Sequence, residues 1–207
     1  MKNLSPEEIE LTLIDPILGA LIDKNGHIEH VAERDYFEAL ARSIISQQIS
    51  VKAAATIFSR FKHETQLRPE RAAELGDDQV KTIGLSSQKS RYIRDLAQHF
   101  VARPDVFDHL ETLTDDAVIN ELTAVHGIGV WTAQMFLMFT LQRPDIFAPN
   151  DLGLQTAVQR LYNLSSRPTP RELEEFACKW QPYRTIAAYH LWHFLDNAPR
   201  PEGNNGV

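Results

Sequence analysis

The feature that most restricts how this chain can fold is Gly127-Ile128-Gly129, a two-glycine turn between segments of helical character at 115–124 and 130–141. Glycine on both sides of one apolar residue lets the backbone take φ > 0 and approach a ligand without a Cβ in the way. Such a turn exposes backbone N–H groups at a helix N-terminus, where a phosphate can sit. The carbonyls of Thr123, Val125 and Gly127 then point into the same turn and leave space for a monovalent cation, Na+ or K+, when nucleic acid is bound. The same glycines also fit a tight hairpin of two helices with no ligand at all.

Composition bounds the remaining choices. A chain of 207 residues holds one compact domain or two closely joined lobes, and 43% hydrophobic with 24% charged residues is ordinary for a globular protein. The single cysteine, Cys178, excludes both a disulfide framework and a four-cysteine iron–sulfur cluster. No apolar run approaches the ~20 residues of a membrane span, and the first residues are acidic and amphipathic instead of signal-like, so a soluble intracellular protein is expected. A net charge of −7 argues against a nucleic-acid partner. Its distribution answers that objection: residues 41–103 hold 11 basic and 6 acidic side chains, whereas 1–40 hold 3 and 9. A chance fluctuation over a solvated surface gives the same split.

Helical signals run through the chain and no strand-like alternation competes with them. Ser5-Pro6-Glu7-Glu8 starts a helix that breaks before Pro16; 23–26 reads as a turn; Asp35 caps an amphipathic helix over 36–46. Ser50 caps the next helix, which leaves Gln47 and Gln48 between two helices with planar amides able to pack on a base pair and bond base edges. A plain solvated loop is the alternative. A helix then ends at Gly84, and a loop through Leu85 and Ser86 leads into 88–101, whose first turn carries Lys89; a basic first turn opposes the helix dipole and calls for a compensating anion. Helices over 151–162, 171–179 and 183–197 close the chain, and residues 198–207 read as a flexible tail. The expected architecture is all-α, about ten helices in two lobes, 36–148 and 1–35 plus 149–197, with a cleft between them and Asp151 where the chain crosses over.

Trp131 follows Gly129 at an interval of two, and Asp151 stands twenty positions after Trp131 behind Pro144 and Pro149. This pattern, GIGxWTA followed by PxD, together with FEALARSIISQQIS, resembles the helix-hairpin-helix (HhH-GPD) base-excision DNA glycosylases, in their alkylbase, 3-methyladenine type II branch. The resemblance covers residues 34–195. It implies a catalytic carboxylate at Asp151, a base pocket of Trp131, Trp192, Met135 and Phe37, and DNA contacts from Gln47, Gln48, Leu85, Ser86, Lys89, Gly127, Gly129 and Thr132. Gln48 matches the residue that plugs the stack left by a flipped nucleotide, and the loop from Leu85 to Lys89 matches one that reaches the minor groove.

Bifunctional members carry a nucleophilic lysine where this sequence has Trp131, so water is the expected nucleophile and an abasic site the product. Two tryptophans favour bases made cationic by alkylation. No cofactor is expected beyond the hairpin cation. The expected partner is double-stranded DNA with alkylated bases, bound by a monomer in the bacterial cytoplasm or a eukaryotic nucleus. Met135 departs from the tyrosine of the best-known members, which also carry an N-terminal β-domain without counterpart here. Asn150 replaces an acidic neighbour and offers a helix cap that would free Asp151. A non-catalytic helix-hairpin-helix DNA-binding module, a glycosylase for oxidised, deaminated or mismatched bases, and a helical protein-interaction domain are the competing readings.

Overall fold

The computed structural model describes residues 4–30, 32 and 35–197, and among these the regular elements are thirteen α-helices and two 3-10 turns. The excess over about ten comes mainly from two short helices that each start at a proline, Pro69–Ala73 and Pro104–Phe107. Pro at the first helical position loses no hydrogen bond, but segments of 5 and 4 residues are too short to show a period in sequence. The flexible tail expected at 198–207 lies outside the described residues. No helix among the described residues is long and apolar enough to cross a membrane.

The chain forms two compact units, residues 1–30 with 143–207, and residues 31–142. The segment 143–148 thus belongs with the termini, not with the middle of the chain.

The terminal unit begins with α1 (Pro6–Ile14) and α2 (Pro16–Asn25). Ser5 and Glu8 close a capping box on α1. Asp15 ends α1 and caps α2 through Ile17 N and Leu18 N, while Gly26 at φ +76 stops α2. The turn expected at 23–26 is therefore helical through Asn25, because Gly26 alone supplies the C-cap. A Cβ on Gly19 would stand 2.9 Å from Thr12 Cα, which shows how closely the two helices pack. After the middle unit the chain returns as α11 (Leu152–Leu161), α12 (Pro170–Ala177) and α13 (Arg184–Asp196), around a core of Leu11, Leu18, Ile22, Leu154, Val158, Trp180 and Leu191.

The middle unit holds α3 (Tyr36–Ser46), α4 (Val51–Thr65), α5 (Pro69–Ala73), α6 (Asp77–Ile83), α7 (Ser87–Ala102), α8 (Pro104–Phe107), α9 (Asp115–Thr123) and α10 (Val130–Phe139). Asp35, Ser50, Ser86 and Thr114 each accept from the amide three residues on and so fix four helix starts. Its core is aromatic at one end, where Phe37, Phe61, Phe100 and Phe107 meet at ring-centroid distances of 4.9 to 6.4 Å.

Candidate active site and nucleic-acid interface

Asp151 is the N-cap of α11 (φ −73°, ψ 117°), and its Oδ1 accepts from Leu154 N at 2.8 Å. Asn150 does not take the cap, which corrects the expectation that it would free Asp151. The same Oδ1 accepts from Trp192 Nε1 at 3.0 Å, so Trp192 orients the carboxylate as well as offering a ring face. Gly153 makes this approach possible. A Cβ there would sit 2.9 Å from Asp151 Oδ1 and 3.3 Å from Trp192. A glycine inside a helical pattern is the signal that points to such a close approach.

The loop leading to Asp151 is fastened at several points. Arg184 donates Nε to Asp145 Oδ1 (2.7 Å) and Nη2 to Asp145 Oδ2 (3.0 Å), a two-pronged pair. Thr185 Oγ1 donates to Arg143 O (2.6 Å) and accepts from Ile146 N (2.9 Å), and Gln155 Nε2 donates to Pro149 O (2.8 Å). Arg184, Thr185 and Gln155 were not singled out from sequence; a loop with two prolines whose carbonyls must find donors is the only hint. The result is a carboxylate held on a rigid support, as charge stabilisation requires.

In the middle unit, Gly127 has φ +88° and Gly129 has φ −97°. Only the first needs glycine for its backbone. A Cβ on Gly127 would enter the ring of Tyr92, whereas one on Gly129 would meet nothing within 4 Å. Open space thus remains at Gly129, whereas Gly127 is glycine both for its φ and for the Tyr92 ring packed against it. Gly129 supplies no side-chain cap, so the first amides of α10 receive no bond from it. His126 is held in place by Asp95 Oδ2, which accepts from its backbone N at 2.7 Å and from Nδ1 at 3.0 Å.

Of the expected cation ligands, Val125 O accepts from Ile128 N (3.1 Å) and Gly127 O from Gln47 Nε2 (2.9 Å). Each of these two carbonyls keeps a second lone pair.

Gln48 is exposed at φ +57°, at the tip of the turn between α3 and α4. Gln47 is partly buried, and its amide bonds Gly127 O instead of facing outward for a base. Lys89 Nζ donates to Ile45 O and Gln47 O, both at 2.6 Å. It therefore clamps the end of α3, and the carbonyls of Ile45 and the C-cap Gln47 face the basic first turn of α7. Burial pushes its ammonium pKa down. Leu85, at 7% exposure, packs in the core because the Gly84 C-cap turns it inward, so it does not reach a groove. Ser86 caps α7, accepting from Lys89 N at 3.2 Å.

Among the remaining pocket residues, Trp131 is 46% exposed. Met135, on the same face of α10, lines a pocket of about 190 Å³ with Ser43, Ser46 and Phe139. Phe37 is only 3% exposed, its ring packed against Phe61 and Phe100, which makes it core and not pocket wall. Thr132 is likewise buried at 8%, leaving its backbone as what it can offer DNA.

The profile of the HhH-GPD superfamily of base excision DNA repair proteins matches residues 41–182, and the chain belongs to that family. Particular relatives agree. The chain is 32% identical to the crystal structure of a Bacillus halodurans DNA-3-methyladenine glycosidase, with a TM-score of 0.85 over 95% of this chain and 92% of that one. It is 27% identical to Schizosaccharomyces pombe 3-methyladenine DNA glycosylase (Mag1), solved in complex with abasic DNA, with a TM-score of 0.82 over 96% and 100%. YfjP of Bacillus subtilis is 27% identical over 188 residues, 86% of this chain, and the chain spans 66% of its length.

Proposed function

We propose that this protein is a monofunctional DNA glycosylase that extrudes alkylated bases of the 3-methyladenine and 7-methylguanine type from double-stranded DNA and hydrolyses the N-glycosidic bond. The observation that carries this reading is Asp151, a carboxylate held by an indole N–H and a backbone amide, which matches the family's catalytic carboxylate in the sequence pattern. The Bacillus halodurans and Schizosaccharomyces pombe relatives of solved structure both carry 3-methyladenine in their names, which favours alkylated substrates over oxidised or mismatched ones.

A base inside a duplex is out of reach, and extruding it costs a few kcal/mol. Gln48, exposed at its turn, fills the vacated stack and offsets part of that cost. The amides at the start of α10 take a phosphate, and the carbonyls of Thr123, Val125 and Gly127 would hold a Na+ or K+ whose positive charge would favour that phosphate. Breaking the bond to the base builds positive charge on the sugar, by analogy with glycoside hydrolysis. The Asp151 carboxylate stabilises that charge and orients or deprotonates the attacking water. Position 131 carries no amine, so no Schiff base forms there. Trp131 and Trp192 instead offer electron-rich rings to a cationic base, each an attraction of about 0.5 to 2 kcal/mol. Such a base is already a good leaving group, and a general acid is dispensable. The protein acts as a monomer.

The test is single-turnover release of methylated adenine by the parent and by Asp151→Asn, beside thermal unfolding and a gel-shift titration. Asparagine remains a good cap, so stability should change by only ~0.5 kcal/mol while the rate falls ~10² to 10³-fold or more. Excision by the folded, DNA-binding variant within about threefold of the parent would reduce Asp151 to a helix cap.

A further inference from the structure

Three residues of α7 spaced by three, Lys89, Tyr92 and Asp95, reach the hairpin and the Gln48 turn from beneath. Spacing of three keeps them close to one face of the helix. Asp95 holds His126, the residue before Gly127. The Tyr92 ring fills the space under Gly127, with its hydroxyl accepting from Gln88 Nε2 at 2.7 Å. Lys89 Nζ donates to Ile45 O and Gln47 O, and Gln47 Nε2 closes the circuit on Gly127 O. Hairpin and turn are thus joined twice, through α7 and directly.

The turn needs this support. α3 stops at Ser46, where its last carbonyls lack helical partners, and Gln48 sits at φ +57°, a conformation that an L-residue holds only when its surroundings impose it. Lys89 supplies two charge-assisted hydrogen bonds at that end, to Ile45 O and Gln47 O, the latter next to Gln48.

We propose that Lys89 is a positioning residue for base extrusion: by binding the carbonyls of Ile45 and Gln47 it keeps the Gln48 turn in register with the hairpin, so that a phosphate seated on the hairpin brings Gln48 to the stack. This rests on the glycosylase reading above. It differs from a phosphate-binding role, since two of the three ammonium donors are directed at backbone carbonyls and hold the turn instead of a phosphate.

Lys89→Met keeps the length of the stem and removes the donors. The slope of log affinity against log salt should match that of the parent, whereas loss of a phosphate ligand lowers its magnitude by about 0.9. Single-turnover release of a methylated base should fall about tenfold when the base is paired, and less than threefold when the lesion lies in an unpaired bulge, where extrusion is cheap. Gln47→Ala should reproduce this selective loss, and the double variant should add little to either single one, because both break one circuit. Gln47→Ala alone carries the test if Lys89→Met does not fold. A lowered salt slope, equal losses on paired and unpaired lesions, or full additivity would overturn the proposal. Fluorescence of 2-aminopurine beside the lesion reports extrusion without catalysis, so absence of base release by the parent would refute the glycosylase reading while this signal still decides the role of Lys89.

Discussion

Trp192 and Asp151 share one oxygen atom with a helix start: the indole N–H reaches Asp151 Oδ1 at 3.0 Å, and Leu154 N reaches the same oxygen at 2.8 Å. The carboxylate is therefore fixed in rotation by a residue on α13 and in position by α11.

Trp192→Phe keeps an aromatic ring and removes the N–H donor. Excision should slow by about tenfold, the scale of one lost hydrogen bond to a charged group, with the unfolding midpoint nearly unchanged. Single-turnover kinetics checks this, and a rate within about twofold of the parent would make the indole N–H a bystander. Gly153→Ala should slow the reaction by a similar factor from the other direction, since its methyl would press on Asp151 Oδ1 and Trp192 together. Alanine is the better helix former by about 1 kcal/mol, so loss of activity without loss of helix would separate the close approach from simple helix propensity.

The two hairpin glycines should fail differently. Gly127→Ala places a methyl in the Tyr92 ring at φ +88° and should destabilise the fold by roughly 2 to 4 kcal/mol, visible in chemical denaturation. Gly129→Ala has an allowed φ and open space, so it should fold like the parent. Its DNA affinity should drop about threefold to tenfold, by a similar factor at every salt concentration, because the contact it obstructs is an uncharged backbone one. Unchanged affinity in Gly129→Ala would favour a hairpin without a phosphate.

Acid stability of the terminal unit should report on Asp15. Burial raises its pKa, but bonds from Lys179 Nζ (2.8 Å), Tyr162 Oη (2.6 Å), Trp180 Nε1 (2.9 Å) and Leu18 N outweigh this and bring it down to about 2. A folded value below the ~3.9 of an unfolded aspartate makes its contribution complete above that value and progressively lost as pH falls through about 2. The effect is on the order of 2 kcal/mol. Asp15→Asn should flatten the parent's loss of stability between about pH 4 and 2, measured by urea unfolding at each pH.

What the sequence determined by itself is what depends on neighbours three or four positions away. Asp35 and Ser50 cap helices as read, Gly84 and Gly127 carry the positive φ their contexts require, and Asp151 stands at a helix start, all settled within one turn of chain. Only the tertiary structure decided the partners of those residues. Lys89 reads as the end of a loop that reaches the groove until the end of α3, 42 to 44 residues away, delivers two carbonyls to it, and Leu85 reads as a groove probe until Gly84 turns it into the core. Gln47 and Gln48 are one dipeptide in sequence, yet one amide ends on Gly127 and the other residue is exposed, because the register of the turn against the hairpin, and not residue type, chooses between them. The same holds for Trp192, which lies 41 residues from Asp151: a side chain's donor is legible in sequence, but the acceptor it meets is set by how helices pack.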